Sequence, residues 1–413
     1  MNTKTLYLWA ALGLFSVVPN ALVSGDYFTG KEVYDSGDAV VFDASPYNID
    51  LYGGASAVYN SNTTQLLNGT GAWVGVFDFG FELESANQGG RGIDYGLGYD
   101  GGAYWWESSA AAAGRDPLEH RVDGYFQVNG GKTRFRFTAD YYRNNGNSMD
   151  FNNVQRETRT AQSNDLTLNA GLERDLANGS LEFGAGYLLR AFDSNTFLND
   201  QHSYFGDVAW YHRPNFAPKT SLGVGFRFGT DNYQNNADQE FYTTTLRWRY
   251  QASGKTTAYG SVGWENRGVA GGQDADNFVF DAGVVWAMSD KTKFDFFASR
   301  SVRPSYSGVG QDYENLGFTA LLTHDLPGLF VLNASAGFDN SNYFASAPVA
   351  GPAANVREDD FVRFGVGLSH PVALTQDVQG SVSVFYNYNE TDSSLNFIDF
   401  DQHITGIRFG FLY

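Results

Sequence analysis

Three groups of residues in this 413-residue sequence have types that could bind a ligand or a metal ion. Gly96-Leu97-Gly98-Tyr99-Asp100-Gly101 has the glycine spacing of a dinucleotide-binding loop, but it lies in a strand-like run and no helix follows it. Asp274, Asp276 and Asn277 offer oxygen ligands without the glycine and terminal glutamate of an EF-hand. The six histidines show no metal-ligand spacing. We predict no cofactor, no metal centre and no catalytic site, with a weak loop-bound cation at 274–277 as the alternative.

Composition excludes further classes of function. The absence of cysteine excludes a disulfide scaffold, a thiolate metal site and a cysteine nucleophile. A formal net charge of -19 argues against nucleic acid as a partner, because little positive charge is available to neutralise phosphates. Outer-membrane proteases and phospholipases place serine, histidine and acid groups on smaller barrels, but no local nucleophile motif is present here. We therefore expect that the protein is not an enzyme.

Charged residues alternate with apolar residues throughout the chain. Phe135 and Phe137 flank Arg136, for example, and Trp248 separates Arg247 from Arg249. Because a dry face would make such charges costly, the polar face must contact water. We predict that this face lines a lumen, with the lining residues Arg134, Arg136, Asp140, Glu182, Arg190, Arg227, Arg247, Arg249, Asp281, Arg363 and Arg408. Two interpretations are open: ion pairs that stiffen the wall, or a path for a hydrophilic solute or polymer. The same alternation also places Asp78, Glu82, Asp123, Glu173, Asp207 and Asp295 on this face, so the two signs are too nearly balanced for strong anion selectivity.

The elements that carry these residues have a period of two, which predicts β-strands. We count about eighteen strands, or sixteen as the alternative, an even number as in single-chain bacterial barrels. Their approximate centres are residues 53, 77, 100, 124, 137, 168, 186, 207, 225, 246, 262, 281, 297, 318, 335, 364, 384 and 407. Short turns such as Ser253-Gly254 alternate with long loops such as 144–162. The predicted fold is all-β: a transmembrane antiparallel up-and-down barrel with short periplasmic turns and long extracellular loops.

The last strand carries the clearest membrane signal. Tyr413, Phe411 and Phe409 fall on one face, and Arg408 falls with glycines on the other. This arrangement resembles the C-terminal assembly signal of bacterial outer-membrane proteins, so we expect outer-membrane lipid and the barrel-assembly machinery as partners. An edge strand of a soluble β-sandwich is the alternative.

The N-terminal region predicts export from the cytoplasm. Lys4 is the only charged residue before Asp26, and an apolar run lies between them. We therefore predict a signal peptide over 1–25, with a single transmembrane anchor as the alternative. Residues 26–46 are acidic and show little alternation, which indicates a short periplasmic N-terminal arm; a lumen plug or a partner contact is the alternative. The barrel is expected to occupy 47–413.

A hairpin repeat is also visible. A Lys-Thr pair follows a short turn at Lys132, Lys219, Lys255 and Lys291, and the last three lysines are separated by 36 residues (255 − 219 and 291 − 255). We predict that the aliphatic part of each lysine side chain lies along the apolar wall, while its ammonium group reaches the membrane interface.

Residues 180–413 resemble the β-barrel porin 2 type, a family of outer-membrane barrels found in exopolysaccharide gene clusters. The resemblance rests on Lys291-Thr292 leading to 299–305, on Arg357-Glu358-Asp359-Asp360, and on 386–394. It implies a conduit for an exported polysaccharide that works with a periplasmic polysaccharide export protein. It implies no catalytic residues.

We therefore expect a channel in the outer membrane of a Gram-negative bacterium, serving exopolysaccharide secretion. The first alternative is a general or substrate-selective uptake porin. The second is a structural or adhesive barrel with no transport role.

Overall fold

In a computed structural model, the chain forms one antiparallel sheet of 18 strands that closes into a barrel. The described residues are 47–63, 69–85, 92–107, 115–146, 161–193, 198–234, 238–269, 274–305, 311–345, 357–375, 378–395 and 399–413. No helix in these ranges is long and apolar enough to cross a membrane. The predicted signal peptide (1–25) and periplasmic arm (26–46) lie outside the described residues.

The strands follow one another around the barrel in chain order, β1 to β18. Their bounds are β1 Tyr47–Asn60, β2 Ala72–Ser85, β3 Gly92–Trp106, β4 Leu118–Asn129, β5 Thr133–Asn145, β6 Gln162–Leu176, β7 Gly179–Phe192, β8 Gln201–His212, β9 Thr220–Tyr233, β10 Gln239–Ser253, β11 Thr256–Val269, β12 Ala275–Ser289, β13 Thr292–Pro304, β14 Gln311–Asp325, β15 Val331–Ala345, β16 Glu358–Ala373, β17 Gln379–Ser393 and β18 Phe400–Leu412. Each predicted centre falls within one strand. The predicted count of eighteen is confirmed, and the alternative of sixteen is wrong.

The barrel closes where the first strand meets the last. β1 and β18 pair from Tyr52 opposite Leu412 to Asn60 opposite Ile404. Tyr413 extends this seam, because its backbone N–H donates to the Leu51 carbonyl at 2.7 Å and its carbonyl accepts from the Leu51 N–H at 2.9 Å. Closure leaves no open strand edge, which a lipid bilayer would not tolerate.

The two faces of the sheet differ in chemistry as predicted. Large apolar side chains stay exposed on the outer face, including Leu246 at 63%, Trp73 and Ile407 at 51% and Phe409 at 42%. The alternate positions on the inner face are polar and largely buried, such as Arg363 at 7% and Arg408 at 9%. An apolar surface of this extent is unfavourable in contact with water and is stable in contact with lipid.

Connections alternate in length around the barrel. Tight turns of two or three residues follow β4, β6, β10 and β12, whereas longer connections follow the odd-numbered strands, as between β5 and β6. Outer-membrane barrels keep their short turns in the periplasm and their long loops outside. We use this rule to name the two ends of the barrel the periplasmic rim and the outer rim.

Among the described residues, the side chains considered for a weak cation site at 274–277 do not converge. Asp276 and Asn277 are consecutive residues of β12, so alternation directs their side chains to opposite faces. The Asp276 carboxylate accepts a hydrogen bond from Asn266 at 2.9 Å, whereas Asn277 is buried. No group of three or more possible metal ligands occurs within the described ranges. The glycines of 96–101 lie inside β3, in extended backbone.

Candidate functional site: the inner wall of the barrel

The residues predicted to line a lumen all lie on the inner face, opposite the exposed aromatic side chains. Most of them form ion pairs with residues one to three strands away in the sheet. The pairs join Arg121 to Asp140, Arg134 to Glu173, Arg190 to Asp165, Arg247 to Asp207, Arg249 to Glu182, Arg363 to Asp339 and Arg408 to Asp78. Asp281 accepts a hydrogen bond from Ser261 instead. Ion pairs between strands are therefore the main feature of this inner wall.

Two of these pairs have bidentate geometry and start from neighbouring inner-face positions of β10. Arg247 donates to both carboxylate oxygens of Asp207, at 3.0 and 2.6 Å. Arg249 donates to both oxygens of Glu182 on β7, at 2.6 and 3.0 Å, and its guanidinium lies 3.9 Å from the centre of the Tyr211 ring. Bidentate geometry fixes these guanidinium groups in orientation as well as in position. Both arginine side chains lie along the wall and cross the strands that separate β10 from their carboxylate partners.

A glycine on β9 makes room for this arrangement. A Cβ atom at Gly225 would overlap the Arg247 guanidinium, which crosses β9 at that residue to reach Asp207 on β8. Gly54 on β1 does the same for Arg408, which crosses the barrel seam to reach Asp78 on β2. The chain contains 48 glycines among 413 residues, and these two let long side chains lie flat on the inner face.

Replacing Gly225 by valine is expected to displace Arg247 and break its pair with Asp207. Removing one partner from a buried ion pair costs about 3–5 kcal/mol, and water at the wall should bring the loss towards the lower value. Heat-induced unfolding in detergent, followed by gel mobility, would measure the change. Gly254→Val is the matched control, because a Cβ at Gly254 meets nothing within 4 Å. Equal loss in both variants would contradict the role assigned to Gly225.

Arg227 and Arg136 differ from the other predicted arginines, because neither makes an ion pair with the carboxylates of the described residues. The Arg227 guanidinium lies 4.1 Å from the centre of the Phe205 ring and 5.6 Å from that of Phe241. Arg136 lies 5.5 Å from the Tyr125 ring centre. Aromatic faces hold a cation in place without neutralising it. These two guanidinium groups therefore keep their positive charge available to the lumen.

Charge is not evenly distributed around the wall, which corrects the expectation of near balance. The inner face of β1–β4 is predominantly acidic and contains a single arginine, Arg121. Its carboxylates are Asp50, Asp78, Glu82, Glu84, Asp94, Asp100, Glu119 and Asp123. The inner face of β8–β11 is richer in arginine, with Arg227, Arg247, Arg249 and Arg267 beside Asp207, Asp231 and Glu265. We call these the acidic sector and the arginine sector.

Near the outer rim, the inner face carries a buried network that the sequence reasoning missed. Arg267 on β11 pairs with Asp231 at 2.6 Å and donates to Gln239 at 3.0 Å. The Gln239 amide donates to Asp312 at the outer end of β14, at 2.8 Å. The alternation of Trp264 with Glu265 and Arg267 could have revealed Arg267. Nothing local in the sequence signals the contact with Asp312.

That last contact narrows the outer rim. Strands β10 and β14 are four positions apart in the sheet, so an evenly curved wall would separate them by about 19 Å at normal strand spacing. A direct bond between Gln239 and Asp312 requires their outer ends to bend towards each other. Both side chains are almost completely buried, at 1% and 0% exposure.

All six histidines lie on the outer face and contact neighbouring side chains. Near the outer rim, tyrosine hydroxyls lie within hydrogen-bond distance of the Nδ1 atoms of His120, His202 and His403, at 2.8–3.0 Å. Near the periplasmic rim, His324 lies 2.8 Å from the Thr292 hydroxyl. His212 stacks on Trp210, and His370 packs against Phe330. Such contacts among aromatic and polar side chains are typical of the two membrane interfaces of a barrel.

A closed antiparallel barrel with a lipid-facing apolar surface and a charged inner wall defines a porin-type, multi-pass protein of the bacterial outer membrane.

No protein-family profile and no curated protein matches the sequence. Solved structures from Pseudomonas aeruginosa resemble it in fold. OccK2 (OpdF) in complex with glucuronate has 11% identity and a TM-score of 0.44, with coverage of 88% of this chain and 97% of that one. OpdK with vanillate has 13% identity and a TM-score of 0.42, with coverage of 88% and 99%. The ferric enterobactin receptor PfeA has 8% identity and a TM-score of 0.42, with coverage of 88% and 80%.

Proposed function

We propose that the protein is a passive, selective channel for the uptake of small hydrophilic solutes. The observation that carries this proposal is the separation of charge on the inner wall into an acidic sector and an arginine sector. A wall of fully balanced pairs would only stiffen the barrel. Two sectors of different sign also produce an electric field across the lumen, which orients a dipolar solute as it passes.

The arginine sector supplies the more specific part of this selectivity. Arg227 combines a guanidinium that makes no ion pair with the described residues with the aromatic faces of Phe205 and Phe241. Nearby, Tyr211, Tyr259 and Asp281 line a shallow recess in the wall together with Arg247 and Arg249. Such a surface offers hydrogen bonds and ring faces to a polar solute without requiring that it carry a particular net charge.

The bend between β10 and β14 favours a small solute over a polymer. It brings the outer ends of two strands together on the inner side, so the described outer rim is narrower there than an evenly curved barrel would be. Polysaccharide export is the second candidate, supported by the resemblance of 180–413 to barrels of exopolysaccharide gene clusters. The segments 299–305 and 386–394, which carry this resemblance, lie mainly at the outer ends of β13 and β17.

Transport by the purified protein in liposomes would separate the candidates. We expect zwitterionic amino acids and small sugars to enter faster than a neutral oligosaccharide of several units, as judged by the swelling rate. Arg227→Gln should slow anionic and zwitterionic solutes while leaving neutral sugars unchanged, since it removes a charge and no ion pair. Arg300→Gln is the control for arginine loss, because Arg300 pairs with Glu314 on the outer face.

A deletion strain provides the complementary test. Loss of small-solute uptake with unchanged surface polysaccharide would support the uptake channel. Polymer retained in the periplasm with normal solute uptake would overturn it in favour of export. Purified protein that shows no solute flux in any condition would favour the structural barrel.

A further inference from the structure

Aromatic side chains of the inner face lie across glycines of the neighbouring strand. The ring and the glycine stand directly opposite each other in the sheet, and a Cβ atom on the glycine would overlap the ring. Such pairs are Tyr52 with Gly80, Tyr125 with Gly96, Phe205 with Gly186, Tyr211 with Gly223, Phe241 with Gly229, Tyr259 with Gly283 and Phe385 with Gly406. The missing side chain of the glycine lets each ring lie flat against the wall.

Arginine side chains of the wall use several of these rings as supports. The Arg249 guanidinium lies 3.9 Å from the centre of the Tyr211 ring, and the Arg227 guanidinium lies 4.1 Å from that of Phe205. Arg249 also pairs with Glu182 at 2.6 Å, so that ring, guanidinium and carboxylate form one unit. The wall itself therefore shows which chemical group a ring of this kind accepts, because an aromatic face attracts a planar cation.

Tyr259 on β11 lies on its glycine in the same way, but no guanidinium of the described residues lies over its ring. The residue opposite it on β10 is Arg249, whose side chain leans away from Tyr259 towards Glu182. Tyr259 leans in the other direction, over Gly283 of β12. A recess opens between these two side chains, and its lining includes Asp281. We call it the Tyr259 recess.

Two carboxylates lie beside the Tyr259 ring. Asp281 accepts a hydrogen bond from Ser261, directly opposite it, and makes no ion pair with the described residues. Asp295 on β13 is only 9% exposed. One of its oxygens pairs with Lys293 at 2.9 Å, and the other is buried without a hydrogen-bond partner in the described part of the chain. Both carboxylates lie within electrostatic range of the Tyr259 hydroxyl. The recess thus combines a ring with carboxylates and lacks the cation.

We propose that the Tyr259 recess binds the guanidinium group of a small solute, with the planar cation over the Tyr259 ring and its N–H groups donating to Asp281. The solute takes the position that Arg249 holds between Tyr211 and Glu182. A compact ammonium group fits less well, because only a guanidinium is flat and also donates in a fixed fork. The role of this binding in uptake rests on the proposed function, whereas the binding itself is a property of the wall.

The charges already in the recess permit such a cation. Arg247 and Arg249 also line it, and each is paired through two hydrogen bonds with its own carboxylate, Asp207 or Glu182. Their positive charge is therefore largely compensated where it faces the recess. The carboxylate of Asp281 has no such partner, so the added cation meets a net attraction.

A binding titration of the purified barrel in detergent, observed by NMR on the ligand, tests the proposal with three matched probes. Ethylguanidinium is planar and charged, ethylurea is planar and neutral, and ethylammonium is charged but compact. We expect ethylguanidinium to bind about fivefold more tightly than either of the others, as a ring contact with a partly desolvated cation provides. Equal binding of ethylguanidinium and ethylurea would overturn the proposal.

Substitutions locate the binding on the wall. Tyr259→Leu and Asp281→Asn should each weaken ethylguanidinium binding about fivefold, whereas Tyr259→Phe should retain it because the ring remains. Phe385→Leu is the matched control, since it removes a ring that lies on a glycine of β18, far from the recess. Heat-modifiable gel mobility verifies that each variant is a folded barrel. If Tyr259→Leu does not fold, Asp281→Asn decides, because asparagine keeps the shape of the side chain. Undiminished binding by folded Tyr259→Leu or Asp281→Asn protein would overturn the proposal.

Flux through the unaltered protein in liposomes separates this inference from the proposed function. Entry of amino acids and small sugars without preferential binding of ethylguanidinium would remove the guanidinium site and leave the uptake channel. Preferential binding at the Tyr259 recess without flux of any solute would remove the uptake channel and leave the site.

Discussion

Replacing Arg247 and Arg249 together by glutamate is expected to shift the channel strongly towards cations. Each substitution changes the wall charge by −2, so the pair changes the arginine sector by −4. A change of about 1.4 kcal/mol in the free energy of a permeating ion at this point would alter the K⁺ to Cl⁻ preference about tenfold. The reversal potential in a planar bilayer under a KCl gradient measures this shift.

The same double variant is also expected to lose stability. Asp207 and Glu182, which now accept bidentate hydrogen bonds, would each face a second carboxylate. Like charges at such positions repel, and the lost hydrogen bonds leave Glu182 buried without its partner. We therefore expect a lower unfolding temperature in detergent in addition to the altered selectivity.

A charge swap separates the two effects. Arg249→Glu combined with Glu182→Arg keeps an ion pair between β7 and β10 and leaves the total charge unchanged. This swapped protein should recover much of the lost stability and keep nearly the natural ion selectivity. If the double glutamate variant left the reversal potential unchanged, Arg247 and Arg249 would not face the ion path.

The sequence predicted the strands well because period-two alternation is a local property. Each strand must present one apolar and one polar face, and that requirement is visible within about ten residues, as in 222–229. Which face a charge occupies follows at once. The inner-face positions of Arg134 and Arg408 could therefore be read without any knowledge of the neighbouring strands.

The partners of those charges could not be predicted. Arg249 and Glu182 are 67 positions apart in sequence and three strands apart in the sheet. Their meeting depends on strand tilt and register, and on the missing side chain at nearby glycines, which no local pattern specifies. The division of the wall into two sectors has the same origin. Alternation assigns charges of both signs to the inner face, whereas only the closed barrel shows that the two signs are separated in space.

The Lys-Thr repeat shows a third case, in which the pattern was visible but the face of the lysines was misread: each lysine stands one position before a threonine of outer-face parity and so has inner-face parity. The repeat of Lys132, Lys219, Lys255 and Lys291 was plain in the sequence. The turns that precede these lysines break the alternation, so the face could not be counted from the previous strand. Only the outer-face position of the following threonine, seen at Thr292, settles it.

Deleting residues 409–413 is expected to abolish barrel assembly almost completely. The deletion removes the register pairs that join β18 to Tyr52, Gly53, Gly54 and Ala55 of β1. It also removes both backbone hydrogen bonds between Tyr413 and Leu51. Unpaired N–H and C=O groups at the opened seam would face hydrocarbon, at a cost of several kcal/mol each. The amount of heat-modifiable, membrane-embedded protein measures assembly.

Single substitutions show whether the outer-face aromatic residues act as an assembly signal apart from this backbone pairing. Phe409→Ala and Phe411→Ala keep every seam hydrogen bond and remove only outer-face rings. Leu412→Ala is the matched control, since Leu412 has inner-face parity on the same strand. Slow assembly of the phenylalanine variants, with normal assembly of the leucine variant, would support a signal read by the assembly machinery. Equal behaviour of all three would mean that β18 contributes through pairing alone, because recognition of the outer-face rings is the one property that distinguishes them.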